Sequence, residues 1–378
     1  MSAPRSIVVF RRTILPWSET FVASQQLALT AVAPVFVGYA PDPKGARLVE
    51  GRPTILLSDH HAVPPLGTAL LNYAGHVPSA WRDAIAATRP AVGHAYFGSG
   101  AIPAGHLARA LGVPLVVSYL GMDITVTPRS QAEVRHRHRA FAMANKVLCV
   151  SEFLARKLRE AGCPPEKIQV HYTGVDVTRF VPSGEPPVPD QVLFVGRLAA
   201  KKGVIHLLRA MVTVQRTAPH AECVIAGDGD LRAELEAAAT QLGVRARFLG
   251  VQTPAQVNAL MQRATVLCGP SVVDVRGNAE GLPFTFLEAQ ACGCPVVVST
   301  SGGTAEGVAE GETGYCVAPG DEAALADRLL RILTDPMRRA QMSTAARAHM
   351  ERAFNLRTQT AVLEGIYADV IARAAVLI

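Results

Sequence analysis

Short apolar runs alternate with one-sided helical patterns along nearly the whole chain. In the first half, Ser6–Phe10, Val35–Val37, Val92–Ala95, Leu115–Ser118 and Val147–Val150 read as strands. Between them Ser18–Leu29, Ser79–Thr88, Ile102–Leu111 and Arg129–Ala144 read as helices. A second series of strands runs through Val192–Val195, Ala221–Ala226, Arg247–Leu249, Val266–Cys268 and Pro295–Ser299. Its helices are marked by Leu231, Leu235, Ala238 and Leu242 and by Leu325, Leu329 and Ile332, each set recurring on one helical face. Strand–helix alternation of this kind predicts an α/β chain with parallel sheets. Between the two series, Val181-Pro-Ser-Gly-Glu-Pro-Pro-Val-Pro-Asp190 excludes regular structure and reads as a stiff linker. The pattern therefore predicts two Rossmann-like domains facing each other across a cleft, 1–182 and 190–355. A last helix within about 356–378 is expected to return to the first domain.

Composition narrows the class. Of the 378 residues 49% are hydrophobic and 18% charged, which suits folded domains and excludes a disordered chain. No apolar run reaches the ~18 residues of a membrane span, and MSAPRSIVVFRRT at the start has no secretory h-region, so a cytoplasmic location is expected. Seven cysteines with scattered spacing fit buried, reduced thiols, and Cys292-Gly-Cys294 has neither zinc-knuckle nor redox spacing. The formal charge of +6 is modest; it fits a mildly basic surface or a preference for phosphates, nucleotides or an acidic membrane face.

Three stretches carry candidate chemistry. Gly196-Arg197-Leu198-Ala-Ala-Lys201-Lys202-Gly203 follows a strand, where open α/β sheets bind ligands, and offers a forked guanidinium and ammonium groups to phosphate oxygens. Glu280-Gly281-Leu282-Pro283-Phe284 precedes a helix whose first residue is expected to be Pro283, leaving first-turn N–H groups to face an anion. Glu288 lies eight positions beyond Glu280, so the two acids would serve different parts of a ligand. Gly302-Gly303-Thr304-Ala-Glu306 is a third candidate cradle, whereas Gly227-Asp-Gly229 reads as a tight turn. The lack of a dinucleotide fingerprint after any strand argues against a nicotinamide dehydrogenase.

Taken together, Gly196-Arg197-Leu198 with Lys202-Gly203, the E-x7-E of Glu280 to Glu288, and Cys294-Pro-Val-Val-Val-Ser with Gly302-Gly303 resemble the retaining nucleotide-sugar glycosyltransferases of the GT-B fold, family 4. Val150-Ser-Glu-Phe153 and Gly174-Val-Asp176 are similar to landmarks of that family, and Ser18-Glu-Thr-Phe21 to an exopolysaccharide-type subgroup. The resemblance implies a second domain that grips a nucleoside diphosphate-sugar and a first domain that presents a hydroxyl acceptor. By position, Arg197 and Lys202 would bind the diphosphate beside Gly196, Glu280 the transferred sugar, and Glu288 the ribose. Gly281, Leu282, Pro283 and Phe284 would line the donor, and Val251 the base. Glu280, Arg197 and Lys202 would carry catalysis, without metal or cofactor and with retention of configuration. On the acceptor or sugar side the candidates are Glu19, His94, Gly121 and Asp123, although His94 reads more readily as a satisfied structural histidine. Two departures stand out. The family's His-Gly-x-Asp reads Leu120-Gly121-Met122-Asp123, and the loop Arg11–Trp17 lacks the family's glycine pair. The missing histidine keeps open a degenerate protein that binds nucleotide-sugar without transferring it. Expected partners are a donor and a carbohydrate, lipid-linked or small-molecule acceptor, not nucleic acid. Arg135-His-Arg-His-Arg139 and Arg11-Arg12 suggest peripheral contact with the inner membrane face.

Overall fold

The structure, a computed structural model, describes residues 6–16, 19–43, 45–60 and 64–376. Ser18 and Trp17 lie outside them, so the Ser-Glu-Thr-Phe stretch is described only from Glu19 onward. The chain forms two compact units, Met1–Gly174 with Leu356–Ile378, and Val175–Asn355.

The first unit is built on a parallel sheet of β1 (Ser6–Phe10), β3 (Ala33–Gly38), β5 (Thr54–Leu56), β6 (Pro90–Tyr96), β7 (Leu115–Tyr119), β8 (Lys146–Cys149) and β9 (Ile168–Val170). A short pair, β2 (Thr13–Ile14) and β4 (Ala40–Pro41), lies beside it. The order is β5-β3-β1-β6-β7-β8-β9. Every residue of β1 and β7 is buried, which is why these strands read as unbroken apolar runs rather than alternating ones. Helices start where side chains can satisfy their first N–H groups: Ser130 accepts from the Glu133 amide at the head of Gln131–Met143, and Ser151 from Leu154 at the head of Glu152–Glu160. The last helix, Leu356–Val376, belongs to this unit, and its Leu363, Ile366, Tyr367 and Val370 share one core with Ile7, Val9 and Val22.

A buried polar chain joins that helix to the sheet. His94 has no exposed surface; its Nδ1 lies 2.6 Å from the Tyr367 hydroxyl and its Nε2 2.7 Å from Ser118 Oγ. Gln26 Nε2 donates to the hydroxyls of Tyr96 and Tyr367 at 2.6 and 3.2 Å. Burial, helped by nearby His171, pushes the His94 imidazole down to about 3, so it is neutral in the folded protein. The unfolded chain takes up that proton below about 6.5 while the folded one does not, so this part of the stability is complete above 6.5 and drains away as pH falls. His171, also shifted downward by burial, adds to the same slope. Melting temperature should fall between pH 7.5 and 5, and His94→Gln should start lower at pH 7.5 but show a flatter decline. An unchanged slope in the variant would place the titrating group elsewhere.

The second unit's parallel sheet contains β10 (Gln191–Val195), β11 (Glu222–Ala226), β12 (Ala246–Gly250), β13 (Val266–Gly269), β14 (Val296–Ser299) and β15 (Gly314–Val317), in the order β12-β11-β10-β13-β14-β15. The chain winds outward from β10 to β12, then returns to the other side of β10 to lay down β13. The carboxyl ends of β10 and β13 thus flank the point where the strand order reverses, the place where such sheets take ligands. Helices Val204–Thr217 and Glu322–Leu333 share the core with Val192, Phe194 and Ile225.

The proline-rich segment is not a linker between the units. It lies within the second unit, and the division falls earlier, between Gly174 and Val175. Proline removes donors but leaves carbonyls, and these are used: Gln262 Nε2 donates to the Val181 carbonyl at 2.8 Å and Thr265 Oγ1 to the Val188 carbonyl at 2.7 Å. The Val188 amide in turn donates to the Arg263 carbonyl at 2.7 Å. Cys292 and Cys294 are buried, in keeping with packing rather than redox chemistry.

Candidate functional site

The strand-order reversal of the second unit gathers a buried carboxylate and two ammonium groups. After β10, a 3-10 turn at Ala200–Lys202 carries both lysines and ends at Gly203, at φ +62°. A Cβ at Gly203 would lie 2.0 Å from the Pro270 carbonyl oxygen, so only glycine lets this turn press against the segment after β13. The Val272 amide donates to the Lys201 carbonyl at 2.8 Å, and the Leu198 amide to the Asp228 carbonyl at 2.9 Å, pinning the loop from both sides.

Against this turn sits Glu280, 5% exposed. Lys202 Nζ is 2.6 Å from its Oε1 and Lys201 Nζ 3.2 Å from its Oε2, while Ser271 Oγ donates to Oε1 at 3.1 Å. Its backbone is fixed too. The Gly303 amide donates to the Glu280 carbonyl at 3.1 Å, and Gly302, at φ +71°, approaches so closely that a Cβ would lie 2.0 Å from that oxygen. Burial pushes the Glu280 carboxyl up, but Lys202 and then Lys201 outweigh it and hold it below its ordinary value. Two ammonium groups on one carboxylate leave a net charge of +1. The cluster is electrostatically suited to an anion, and a polyanion can draw one ammonium away without stripping the carboxylate of its remaining partner.

Arg197 stands apart from this cluster. The sequence paired it with Lys202, but in the structure Arg197 Nη2 lies 3.1 Å from Asp230 Oδ2, both side chains well exposed, an arrangement that holds little energy and leaves the guanidinium easy to redirect. The cations brought together are Lys201 and Lys202; Gly196 lies on the same loop. Gly281, Leu282 and Pro283 are buried, and the helix begins at Phe284. Pro283 is its N-cap, not its first helical residue, because its ψ of 120° is extended; no side chain caps this helix end. Glu288, at the helix's fifth position, is a half-buried residue rather than a surface one. Burial pushes its carboxyl up to about 7, with Arg179 pulling the other way. Val251 is exposed in the loop after β12, following Gly250.

The acceptor-side candidates lie in the first unit, with different fates. Glu19 forms a two-pronged ion pair with Arg11, whose Nη1 also donates to the Tyr96 carbonyl at 2.9 Å and whose guanidinium stacks over Phe97. Burial nonetheless leaves the Glu19 carboxyl above its ordinary value, Arg11 opposing. Arg11 follows β1 and Phe97 follows β6, so this pair marks the strand-order reversal of the first unit. Asp123 acts as a structural clasp: it accepts from the amides of Gly98 and Gly121 at 2.9 Å and of Leu120 at 3.2 Å. His94 is enclosed in the core and cannot meet a ligand, which corrects its placement as a sugar-side candidate. Gly121 caps the short turn Met122–Thr125, and Leu120 is half-buried. Among the described residues, no three His, Cys, Asp or Glu side chains come together in a group that could hold a metal ion. No helix among them is long and apolar enough to cross a membrane.

Lys201, Ser271 and Arg179 join the site without having stood out in the sequence. For Lys201 the signal was its place beside Lys202; for Ser271 and Arg179 no local pattern distinguishes them.

A family model described as glycosyl transferases group 1 matches residues 178–349, and one described as glycosyltransferase family 4 matches residues 29–179. WcaL of Salmonella typhimurium, a glycosyltransferase assigned to colanic acid biosynthesis, is 31% identical over 271 residues, 69% of this chain and 66% of that protein. The chain thus spans just under two thirds of that relative's length. The GDP-mannose-dependent alpha-(1-6)-phosphatidylinositol monomannoside mannosyltransferase of Mycolicibacterium smegmatis is 32% identical over 273 residues, 67% of this chain and 70% of that one. Among solved structures, HepE of Anabaena in complex with UDP and glucose matches with a TM-score of 0.77 at 19% identity, covering 97% of this chain and 100% of that one. At that identity the likeness concerns the fold.

Proposed function

Starting from the chain's membership of the group 1, family 4 glycosyltransferases of GT-B fold, we propose that it transfers a hexose-type sugar from a nucleoside diphosphate-sugar to a hydroxyl acceptor in polysaccharide or glycolipid assembly. The observation that carries this reading is the buried Glu280 between Lys201 and Lys202 at the strand-order reversal of the second sheet. Lys202 and Arg197 would take the diphosphate, Arg197 by leaving its exposed bond to Asp230. Glu280 would then hold the hydroxyls of the transferred sugar, and Glu288 those of the ribose. As the sugar–phosphate bond breaks, charge grows on the departing phosphate, and cations held against it by then lower that barrier. The same cations fill the role a metal would otherwise take. Retention of configuration is part of the proposal, with Glu280 steadying positive charge at the anomeric carbon.

UDP and GDP are the two probes to test first, since HepE was solved with UDP and the Mycolicibacterium relative is named for GDP-mannose. One of them should raise the melting temperature, by about 2.7 kcal/mol of stabilisation at a hundredfold excess over Kd. UDP-glucose or GDP-mannose should then be turned over in the presence of EDTA, with the anomeric configuration of the product read by NMR. Lack of binding by both nucleotides at millimolar concentration would remove the reading. Leu120, where the family has histidine, favours a second reading in which nucleotide-sugar is bound but not transferred. Donor consumption by the purified protein separates the two.

The helix Gln131–Met143 supports contact with an anionic lipid surface: Arg135, His136, His138 and Arg139 are exposed on it while Ala140 and Phe141 are buried. Cosedimentation with vesicles should increase with phosphatidylglycerol content and fall with salt. Indifference to lipid charge would argue against it.

A further inference from the structure

Lys201 has no task of its own in the proposal above, yet it pairs with a carboxylate that is almost fully buried. We infer that Lys201 is a positioning residue that holds Glu280 as an oriented carboxylate while the donor's diphosphate engages Lys202. The inference rests on the reading of the site as a nucleoside diphosphate-sugar pocket and assigns the two neighbouring lysines separate tasks.

The geometry divides them. Lys202 contacts Oε1, which Ser271 Oγ also serves, and Lys201 contacts Oε2. Removing Lys202 from the carboxylate therefore leaves each oxygen with one partner, Ser271 on Oε1 and Lys201 on Oε2. Lys201 is tied to the carboxylate's own surroundings, because its carbonyl accepts the amide of Val272, next in sequence to Ser271. The charged or titratable groups facing the Glu280 carboxylate are Lys202 and Lys201, both from the 200–202 turn. Ser271 comes from the segment after β13, and Gly302 and Gly303 meet only the Glu280 backbone. If Lys202 moved to a diphosphate and nothing replaced it, a carboxylate 5% exposed would lie beside new negative charge, and burial would drive a proton onto it. A protonated Glu280 could neither accept two sugar hydroxyls as an anion nor steady positive charge. Lys201 prevents this, and a single lysine could not serve both ligands at once.

The test is a titration of Glu280 by NMR with carboxyl-labelled glutamate, without nucleotide and with saturating UDP or GDP, whichever binds. In the wild-type protein Glu280 should stay ionised below pH 5 in both states. In Lys201→Met it should stay ionised without nucleotide, where Lys202 still pairs with it. With nucleotide its midpoint should rise by at least about one pH unit. Lys201→Arg should restore the wild-type midpoint, and by linkage the nucleotide affinity of Lys201→Met at pH values above that midpoint should fall by about tenfold per unit of the rise, a smaller loss than in Lys202→Met. A nucleotide-bound midpoint unchanged in Lys201→Met overturns the inference, as does a loss of nucleotide affinity equal to that of Lys202→Met, which would make Lys201 a phosphate ligand. If Lys201→Met does not fold, the wild-type protein decides alone: a midpoint that climbs on nucleotide binding shows that Lys201 does not hold the charge. The parent reading fails differently, by the wild-type protein binding neither nucleotide, or by Lys202→Met binding as well as wild type.

Discussion

Glu280→Gln is expected to reduce sugar transfer by at least about 100-fold while leaving UDP or GDP binding as tight as in the wild type, or tighter. The opposed effects follow from the charge of the cluster. With Glu280 ionised, two ammonium groups are partly neutralised and the site carries +1; glutamine raises it to +2 and frees Lys202 from its 2.6 Å contact. A charge pair about 4 Å apart interacts by roughly 4 kcal/mol at the effective dielectric of a protein surface, so the pyrophosphate gains from the substitution. What is lost acts later, on the sugar and on the positive charge that develops at its anomeric carbon. Folding should survive. Glutamine can still accept from Ser271, and both lysines retain enough exposure, with side chains 23% and 21% exposed, to turn toward water. Breaking a fully buried pair by deleting one partner costs about 3–5 kcal/mol, and this site should lie at or below the lower end. Calorimetric titration with nucleotide, beside turnover of the best donor, reads both effects. Weakened nucleotide binding together with normal transfer would reverse the assignment, making Glu280 a structural counter-ion only.

The parts of the fold that could be read in advance are the strands buried on both faces. β1, β7 and β10 appear as apolar runs because helices cover the sheet on each side, and their predicted limits fall within about a residue of the observed ones. β5 and β9 were not readable: each has three residues, pairs with only one neighbour and is partly exposed, so neither run length nor alternation marks it. The helix Pro336–Ala353 also escaped, since its buried contacts are just Met342, Ala346 and Met350, one per turn among charged and small residues. The site divides in the same way. Residues fixed by local rules were legible: a glycine-bounded basic loop after a strand, and two acids around a helix start. Which cation meets which acid was not, because it depends on how the 200–202 turn packs against the segment after β13, a contact between positions about 70 apart in the chain. Hence Arg197 looked equivalent to Lys202 in one dimension, while in three Lys201 takes its place beside Glu280. His94 has the structural role that the sequence favoured over a ligand-side one: β6 is buried on both faces here, and the imidazole is held between Tyr367 and Ser118.

Lys202→Met should have the largest effect on nucleotide binding and turnover together, lowering the rate by roughly 100- to 1,000-fold. Methionine keeps the length and apolar stem of lysine and removes only the ammonium, so the change isolates charge from packing. The fold has a reserve, because Lys201 remains 3.2 Å from Glu280 Oε2 and Ser271 continues to serve Oε1. Arg197→Ala should be the milder of the two variants. Arg197 is 68% exposed at its side chain and tethered to Asp230, itself 82% exposed, so its guanidinium must be recruited by the ligand, at the expense of side-chain freedom. Lys202 is already ordered by its 2.6 Å contact with Glu280 and has only to exchange that partner for the phosphate. A pre-oriented cation contributes more to a developing phosphate charge than one that must be ordered during binding, and Lys202→Met should therefore be the more damaging of the two in kcat. Measured side by side with the same donor, equal losses would mean that orientation before binding is immaterial here. A larger loss for Arg197→Ala would move the centre of the phosphate site out of the buried cluster and onto the exposed loop.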